Sequence, residues 1–445
     1  MIVSGKNWKD GCIYKFEDFI LRRHQTKPLF ARAVATILVS SMLKKAILLD
    51  LMGKVDSNLF IMTIGESGSG KTPPIKRALE YMLAYDPDSL IAPRFTLEGL
   101  TEFLTEQATP KHGVIINDEA SLMIAEKGKK QFLGVFEFLS KLWDGWAPGY
   151  LTRSFKKEGG FPVHFSFLAG STTVFLKDYA EELWAQGIGN RYLWILLDRV
   201  KPEKDKPGFM LGTTFDKEWD EIMRSMCDLQ KDLCQIDSVT VDFDAEEIWI
   251  DERYRLRLQA FNCVVKHEAN YIEKMPLQTL KLAMCYAASR KSYVVVPKDS
   301  SLPSILNIKR EDMQRAIDDT LEYLKCWREV YDLWTTLQED KERARTDSRA
   351  DSVKKLIRWS IQNTSGLITV RTTCKGLNGI SQPTADKIIQ AGWDMGWLEP
   401  AHNNVTSVST LSLEEIAVVR KYSPTSCIPS TWRVTDDGRK AAMSV

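Results

Sequence analysis

The sequence predicts an α/β protein: a mostly parallel sheet covered by helices, then an all-helical stretch, then a small tail of mixed helix and strand. Three observations carry this. Between residues 58 and about 200, short apolar segments alternate with helical ones, the pattern of a parallel sheet covered on both faces. From about 215 to 337 the apolar residues recur at helical spacing, as in KEWDEIMRSMCDLQKDLC and MPLQTLKLAMCYAASRK. From Val353 the chain reads helix, helix, turn, helix and two strands.

Taken in order, residues 1–55 form a helical lead-in, with Phe19, Ile20, Phe30, Val34, Ile37 and Leu38 near helical spacing. The expected strands of the core, 56–212, are NLFIMTI (58–64), GVIIND (113–118), FPVHFSFLAG (161–170) and YLWILLD (192–198). A helical bundle occupies 213–337, and the polar run at 338–352 is expected to be a charged linker or an exposed helix extension. In 353–445, VKKLIRWSIQN and ITVRTTCKGL read as two helices. A third is N-capped by Ser381 with Pro383 in its first turn. WLEP and STWRVTDDG then read as the strands of a wing, completing a winged helix-turn-helix pattern.

The chain has 445 residues, 44% apolar and 27% charged, enough for two or three domains and unlike a disordered chain. Its 60 Lys and Arg stand against 59 Asp and Glu, so any nucleic-acid contact has to come from local patches. The eight cysteines include no CxxC pair, which argues against a zinc ribbon or redox pair and for reduced thiols. The amino terminus lacks the pattern of a signal peptide. The most apolar stretch, 33–43, is too short to cross a bilayer, which needs about 20 residues. A buried core helix, no membrane partner and a cytoplasmic location are expected.

Residues 61–74 read IMTIGESGSGKTPP, and Gly65, Glu66, Ser67, Gly68, Ser69, Gly70, Lys71 and Thr72 match GxxxxGK[ST] completely. Such a loop turns successive backbone N–H groups toward a phosphate, and the helix that follows adds its positive end. Lys71 can reach the β- and γ-phosphates of a nucleotide, and the Thr72 hydroxyl is of the type that ligates Mg²⁺. A chance match somewhere in such a chain is on the order of one per cent. The loop follows an apolar strand and precedes a helix, as the motif requires. Pro73 and Pro74 suit a first turn, whose N–H groups are unpaired in any case.

A second apolar strand ends in Asp118-Glu119. Asp118 would hold Mg²⁺ and Glu119 would polarise the attacking water, which favours hydrolysis over transfer to a small acceptor. A third strand ends LAGSTT. There Ser171 or Thr172 is expected to orient water and sense the γ-phosphate, the alternative being a helix N-cap. Arg191, before the fourth strand, could serve a neighbouring subunit's γ-phosphate in trans or form an ordinary salt bridge.

NLFIMTIGESGSGKTPPIKRAL, FTLEGLTEFL (95–104), GVIINDEAS, FSFLAGSTT and GIGNRYLW, in this order, resemble a P-loop ATPase family carried by phages, plasmids and integrated elements, often in primase–helicase contexts. The likeness spans about residues 25–335. The layout is also similar to that of the MCM helicases, hexameric AAA+ motors with a β-hairpin before the sensor strand, an arginine acting in trans and a carboxyl-terminal winged helix. The resemblance implies an AAA+-like core with a helical lid, ATP and Mg²⁺ as cofactors, a ring of six copies, and Arg191 as the residue acting in trans. Two departures stand out. Gln278 and Lys281 occupy the helix where such motors carry a second sensor arginine. The sequence shows neither a large amino-terminal DNA-binding domain of that type nor a primase domain, so DNA contacts are expected from the ring and the tail.

GYLTRSFKKEGGFPVHFSF (149–167) reads as a β-hairpin turning at Glu158-Gly159-Gly160, with Arg153, Lys156 and Lys157 near its tip. In a ring such tips would line a pore and grip single-stranded DNA phosphates without reading sequence. The loop EKGKK (126–130) is a weaker candidate. In the tail, Gln382, Thr384, Lys387 and Gln390 would project from a recognition helix toward duplex DNA, while Trp393 and Trp397 are expected in the core. The expected function is an ATP-dependent DNA helicase of a mobile genetic element. The rival is a non-unwinding ATPase switch, a DNA-bound regulator or loader. A terminase-like packaging motor is disfavoured because no nuclease constellation of carboxylates follows the ATPase segment.

Overall fold

The core is built on four apolar runs that pair side by side. Strands Phe60–Gly65 and His164–Ser171 are buried at every residue, as parallel strands covered on both faces are. They form a four-stranded, all-parallel sheet in the order Leu193–Leu197, Phe60–Gly65, His164–Ser171, His112–Asn117. The protein is therefore α/β with a parallel sheet. The computed structural model describes residues 11–44, 46–50, 53–107, 111–120, 134–151, 156–157, 159–199, 214–296, 302–364, 366–377, 380–401 and 432–443. Among these, no helix is long and apolar enough to cross a membrane.

The 33–43 stretch lies in helix Pro28–Met42 and its C-cap Leu43; the helix is buried from Leu29 to Met42 and packed on the sheet and on helices Cys12–Arg23 and Met275–Ser289. Its one charge, Arg32, donates to Glu17 at 2.7 Å, Asp319 at 2.9 Å and Glu322 at 3.2 Å, which satisfies a guanidinium that burial would otherwise penalise.

Four-residue strands embedded in the helical text go beyond the sequence reading. Ser238–Val241 and Ile305–Ile308 lie parallel beside Ile47–Asp50 in a five-stranded sheet completed by Tyr293–Val294 and Gly53–Val55. Runs this short offer too few alternations to stand out from flanking helices.

Two compact units divide the chain, Met1–Trp334 and Thr335–Val445. Helix Arg310–Thr364 carries the boundary, and residues 338–352, expected as a linker or helix extension, lie wholly within it. In the second unit, helices Val370–Gly376 and Gln382–Asp394 accompany an antiparallel sheet ordered Leu367–Ile368, Trp432–Val434, Leu398–Pro400.

The hairpin before the third core strand differs from its expected form. Tyr150 pairs with Lys157 and Leu151 with Lys156, while Trp146 pairs with Pro162 and Ala147 with Phe161. The tip of the hairpin therefore lies between Leu151 and Lys156, outside the described residues, and not at Gly159-Gly160. Gly159 and Gly160 belong to a bulge, because they fall between the two ladders, where the returning side has one residue more than the outgoing one. Gly159 has φ +75°, the left-handed geometry of a bulge glycine. A Cβ on Gly160 would lie 2.0 Å from Trp146 Nε1, so the backbone passes tightly under that ring. Arg153 and the 126–130 loop lie outside the described residues.

At the amino end of the third strand, His164 is buried, with Ser57 Oγ 3.2 Å from its Nε2. Burial pushes its pKa from 6.5 down to about 4; His112, Lys281 and Lys44 add to the effect, against Asp56. The native ring thus stays neutral where the unfolded chain takes up a proton. We expect stability to fall as pH drops from 6.5 to 4, by up to about 3 kcal/mol from this group. His164→Gln should flatten that slope in guanidinium denaturation followed by tryptophan fluorescence.

Candidate functional site

The parallel register brings the carboxyl ends of the four strands to nearly one level. Ile64 lies beside Ser171, Asn117 beside Ala169, and Leu197 beside Gly65. Ligands of open α/β sheets bind outside such strand ends. The glycine loop leaves the sheet at Gly65, and helix Thr72–Tyr85 begins directly after Lys71, with Pro73 and Pro74 in its first turn.

Lys71 Nζ donates to the Gly65 carbonyl and, at 2.8 Å, to the Ser171 carbonyl. An ammonium has three protons, so two carbonyls aim it while one proton is left for a ligand. Burial draws its pKa down, opposed by the charges of Glu119, Glu66 and Asp118. Ser171 Oγ donates to Glu119 Oε1 at 3.3 Å. Thr172 occupies the N-cap position of helix Thr173–Ala185 without a side-chain capping bond. Of the two residues considered, Ser171 therefore touches the carboxylate, while Thr172 lines the cleft.

The cleft has a volume of about 520 Å³ and is lined by residues 66–72 together with Gln25, Pro73, Asp118, Glu119 and Thr172. The Ser69 hydroxyl is buried with no hydrogen-bond partner among the described residues. Among those residues no three His, Cys, Asp or Glu side chains gather as a metal site. A nucleotide-bound Mg²⁺ needs only one or two carboxylates, since phosphate oxygens and waters complete its shell. Thr72 and Asp118 fit that requirement.

Three contributors went unnoticed in the sequence. Asn117 clasps the backbone of Glu119, accepting from its N–H at 3.2 Å and donating to its carbonyl at 3.0 Å. Thr173 donates to Glu66, tying the loop to the next helix and lowering the Glu66 pKa. Gln25 supplies a wall from the link between the first two helices. Asn117 could have been found from its place beside Asp118-Glu119, but Gln25 stands 40 residues before the motif with no pattern of its own.

No protein-family model matches the chain, and no curated protein matches it.

The remaining expected residues lie apart from this cleft. Arg191 precedes strand Leu193–Leu197, whose far end meets Gly65, so it sits across the sheet from Lys71. Its guanidinium holds Asp144 at 3.1 Å and the Gly187 carbonyl at 3.0 Å, beside the Trp143 ring. Gln278 donates to the Arg191 carbonyl at 3.2 Å. Lys281, buried and also over the Trp143 ring, reaches Asn58 and the Trp143 carbonyl. Neither residue lines the cleft beside the glycine loop.

Lys156 and Lys157 form the short returning strand of the hairpin. In the second unit Gln382, Thr384, Lys387 and Gln390 are exposed on one helix, with Gln390 donating to Asp394. Trp393, expected in the core, is 49% exposed and leans on Trp432. The buried face of its helix is carried by Ala385, Ile388, Ile389, Ala391 and Gly392, and at 100° per residue position 393 falls beside that face.

Gly70 holds φ +79°, and a Cβ there would stand 2.2 Å from the Gln25 carbonyl. Gly70→Ala would have to displace either the loop or the helix link. We expect at least about a tenfold loss of affinity for a fluorescent ATP analogue, roughly 1.4 kcal/mol, measured by titration with the far-UV spectrum unchanged.

Proposed function

We propose that this chain is an ATP hydrolase that moves DNA: a helicase or translocase of a mobile genetic element, working as a head-to-tail ring of six copies. One observation carries the reading. Lys71, Thr72, Asp118, Glu119 and Ser171 come from separate segments and converge on one cleft at the strand ends.

In hydrolysis, a water oxygen attacks the γ-phosphorus, the bond to the ADP oxygen breaks, and Glu119 takes the water's proton. Ser171 holds the Glu119 carboxylate in place from the neighbouring strand. Lys71 offsets charge on the β- and γ-oxygens, and the loop N–H groups cradle the phosphate. Thr72 and Asp118 would hold Mg²⁺, which supplies further charge neutralisation when bound.

A ring follows from Arg191 acting in trans. The residue stands on the side of the sheet away from its own cleft, and a neighbour's γ-phosphate would compete with Asp144 for it. Head-to-tail contacts that close produce rings. Lys156 and Lys157, next to the hairpin turn, are of the right type to grip a strand's phosphates. The tail's helices and antiparallel strands support a winged helix-turn-helix module, with Gln382, Thr384 and Lys387 facing duplex DNA.

Strand displacement on a forked duplex tests the reading. Lys71→Ala should abolish both hydrolysis and unwinding. Lys156→Ala/Lys157→Ala should keep basal hydrolysis and lose unwinding at least tenfold. A wild-type chain that hydrolyses ATP but never separates strands would make it a non-unwinding switch instead.

A further inference from the structure

Helix Phe243–Asn262 carries two apolar stripes. One, Ala245, Trp249, Leu256 and Ala260, is buried in its own unit. The other, Phe243, Ile250, Tyr254, Leu258 and Phe261, is between 50% and 85% exposed. At 100° per residue the two are centred roughly 140° apart. Val264, 97% exposed, continues the outer stripe past the helix end. A contiguous exposed apolar stripe of this kind marks an interaction surface.

The outer face has an internal order that identifies its occupant. Positions 243, 247, 250, 254, 257 and 261 alternate by four and three, the seam spacing of a paired helix. They hold Phe243, Glu247, Ile250, Tyr254, Arg257 and Phe261. Read outward from residue 252, these positions match in pairs: Ile250 with Tyr254, Glu247 with Arg257, Phe243 with Phe261. The charges are divided to suit, with Asp244, Glu246, Glu247 and Asp251 in the first half and Arg253, Arg255 and Arg257 in the second. Arg253 lies over the Trp249 ring and Arg255 holds Glu252, which leaves Glu247 and Arg257 as the charges of the seam.

We propose that this face docks a second copy of itself, antiparallel and about a two-fold axis near residue 252. In that register each Glu247 meets the other copy's Arg257, and each Ile250 meets the other copy's Tyr254. A parallel copy would set Glu247 against Glu247 and Arg257 against Arg257. A two-fold contact is isologous and closes at two copies, so it is distinct from a head-to-tail ring contact. It does not rest on the nucleotide reading.

The test is the association state of the full chain without nucleotide, by sedimentation across a concentration series. The wild type should self-associate. Glu247→Arg and Arg257→Glu should each raise the dissociation concentration at least tenfold, with unchanged far-UV spectra. An equimolar mixture of the two variants should regain wild-type association, because the mixed pair sets opposite charges together in both layers. Ile250→Asp should dissociate and should not be rescued by either variant. A wild type that stays monomeric, charge variants that associate like the wild type, or a mixture without rescue would each overturn the proposal.

Discussion

The strand His164–Ser171 is inserted between the strands that end in the glycine loop and in Asn117, and its register with both decides where the polar groups of the cleft sit. Its last carbonyl aims Lys71 and its last hydroxyl holds Glu119. Just before this end, Gly170 accepts a backbone bond from Ala120. A one-residue slip would turn Ser171 to the other face of the sheet. That slip is opposed by burial at all eight positions of the strand. The core is thus the device that sets the distance between cation and carboxylate, and packing and chemistry are the same constraint seen from its two ends.

The opposite ends of the same strands form a second polar region of different character. Asp144, Arg191, Trp143, Lys281, Asn58 and Asp56 meet there, with Lys281 buried and its pKa drawn down by that burial. The hairpin leaves from this end, its bulge placed where Gly160 slides under Trp146. A shift of the third strand along its axis would be felt at both ends, because the sheet between them is close-packed and cannot absorb it locally.

The legible parts were those encoded by neighbours in the chain. The glycine loop, the acidic pair and all four core strands could be read because loop chemistry and apolar runs are local signals. The hairpin was visible as a pairing, but its turn was misplaced. A Gly-Gly step suits a turn and a bulge equally, and only cross-strand register separates them. Ser171 could not be told from Thr172 before the neighbouring strand's Glu119 was in place. Gln25, the Arg32 ion cluster and the environment of Lys281 join residues tens to hundreds of positions apart, and no periodicity points to them. The helix Phe243–Asn262 read simply as helical, because apolar residues on two faces blur the amphipathic signal.

The contact of Gln25 with Gly70 gives the short link between the first two helices a thermodynamic role. Any occupant that stiffens the glycine loop must also favour the docked position of that link, and through it the buried helix beginning at Pro28. Linkage is reciprocal: whatever strains or loosens the amino-terminal helices alters how tightly the loop holds its guest. A remote event on that helix pair, such as a partner leaning on it, would be transmitted as a change in occupancy rather than as a change in the side chains that line the cleft.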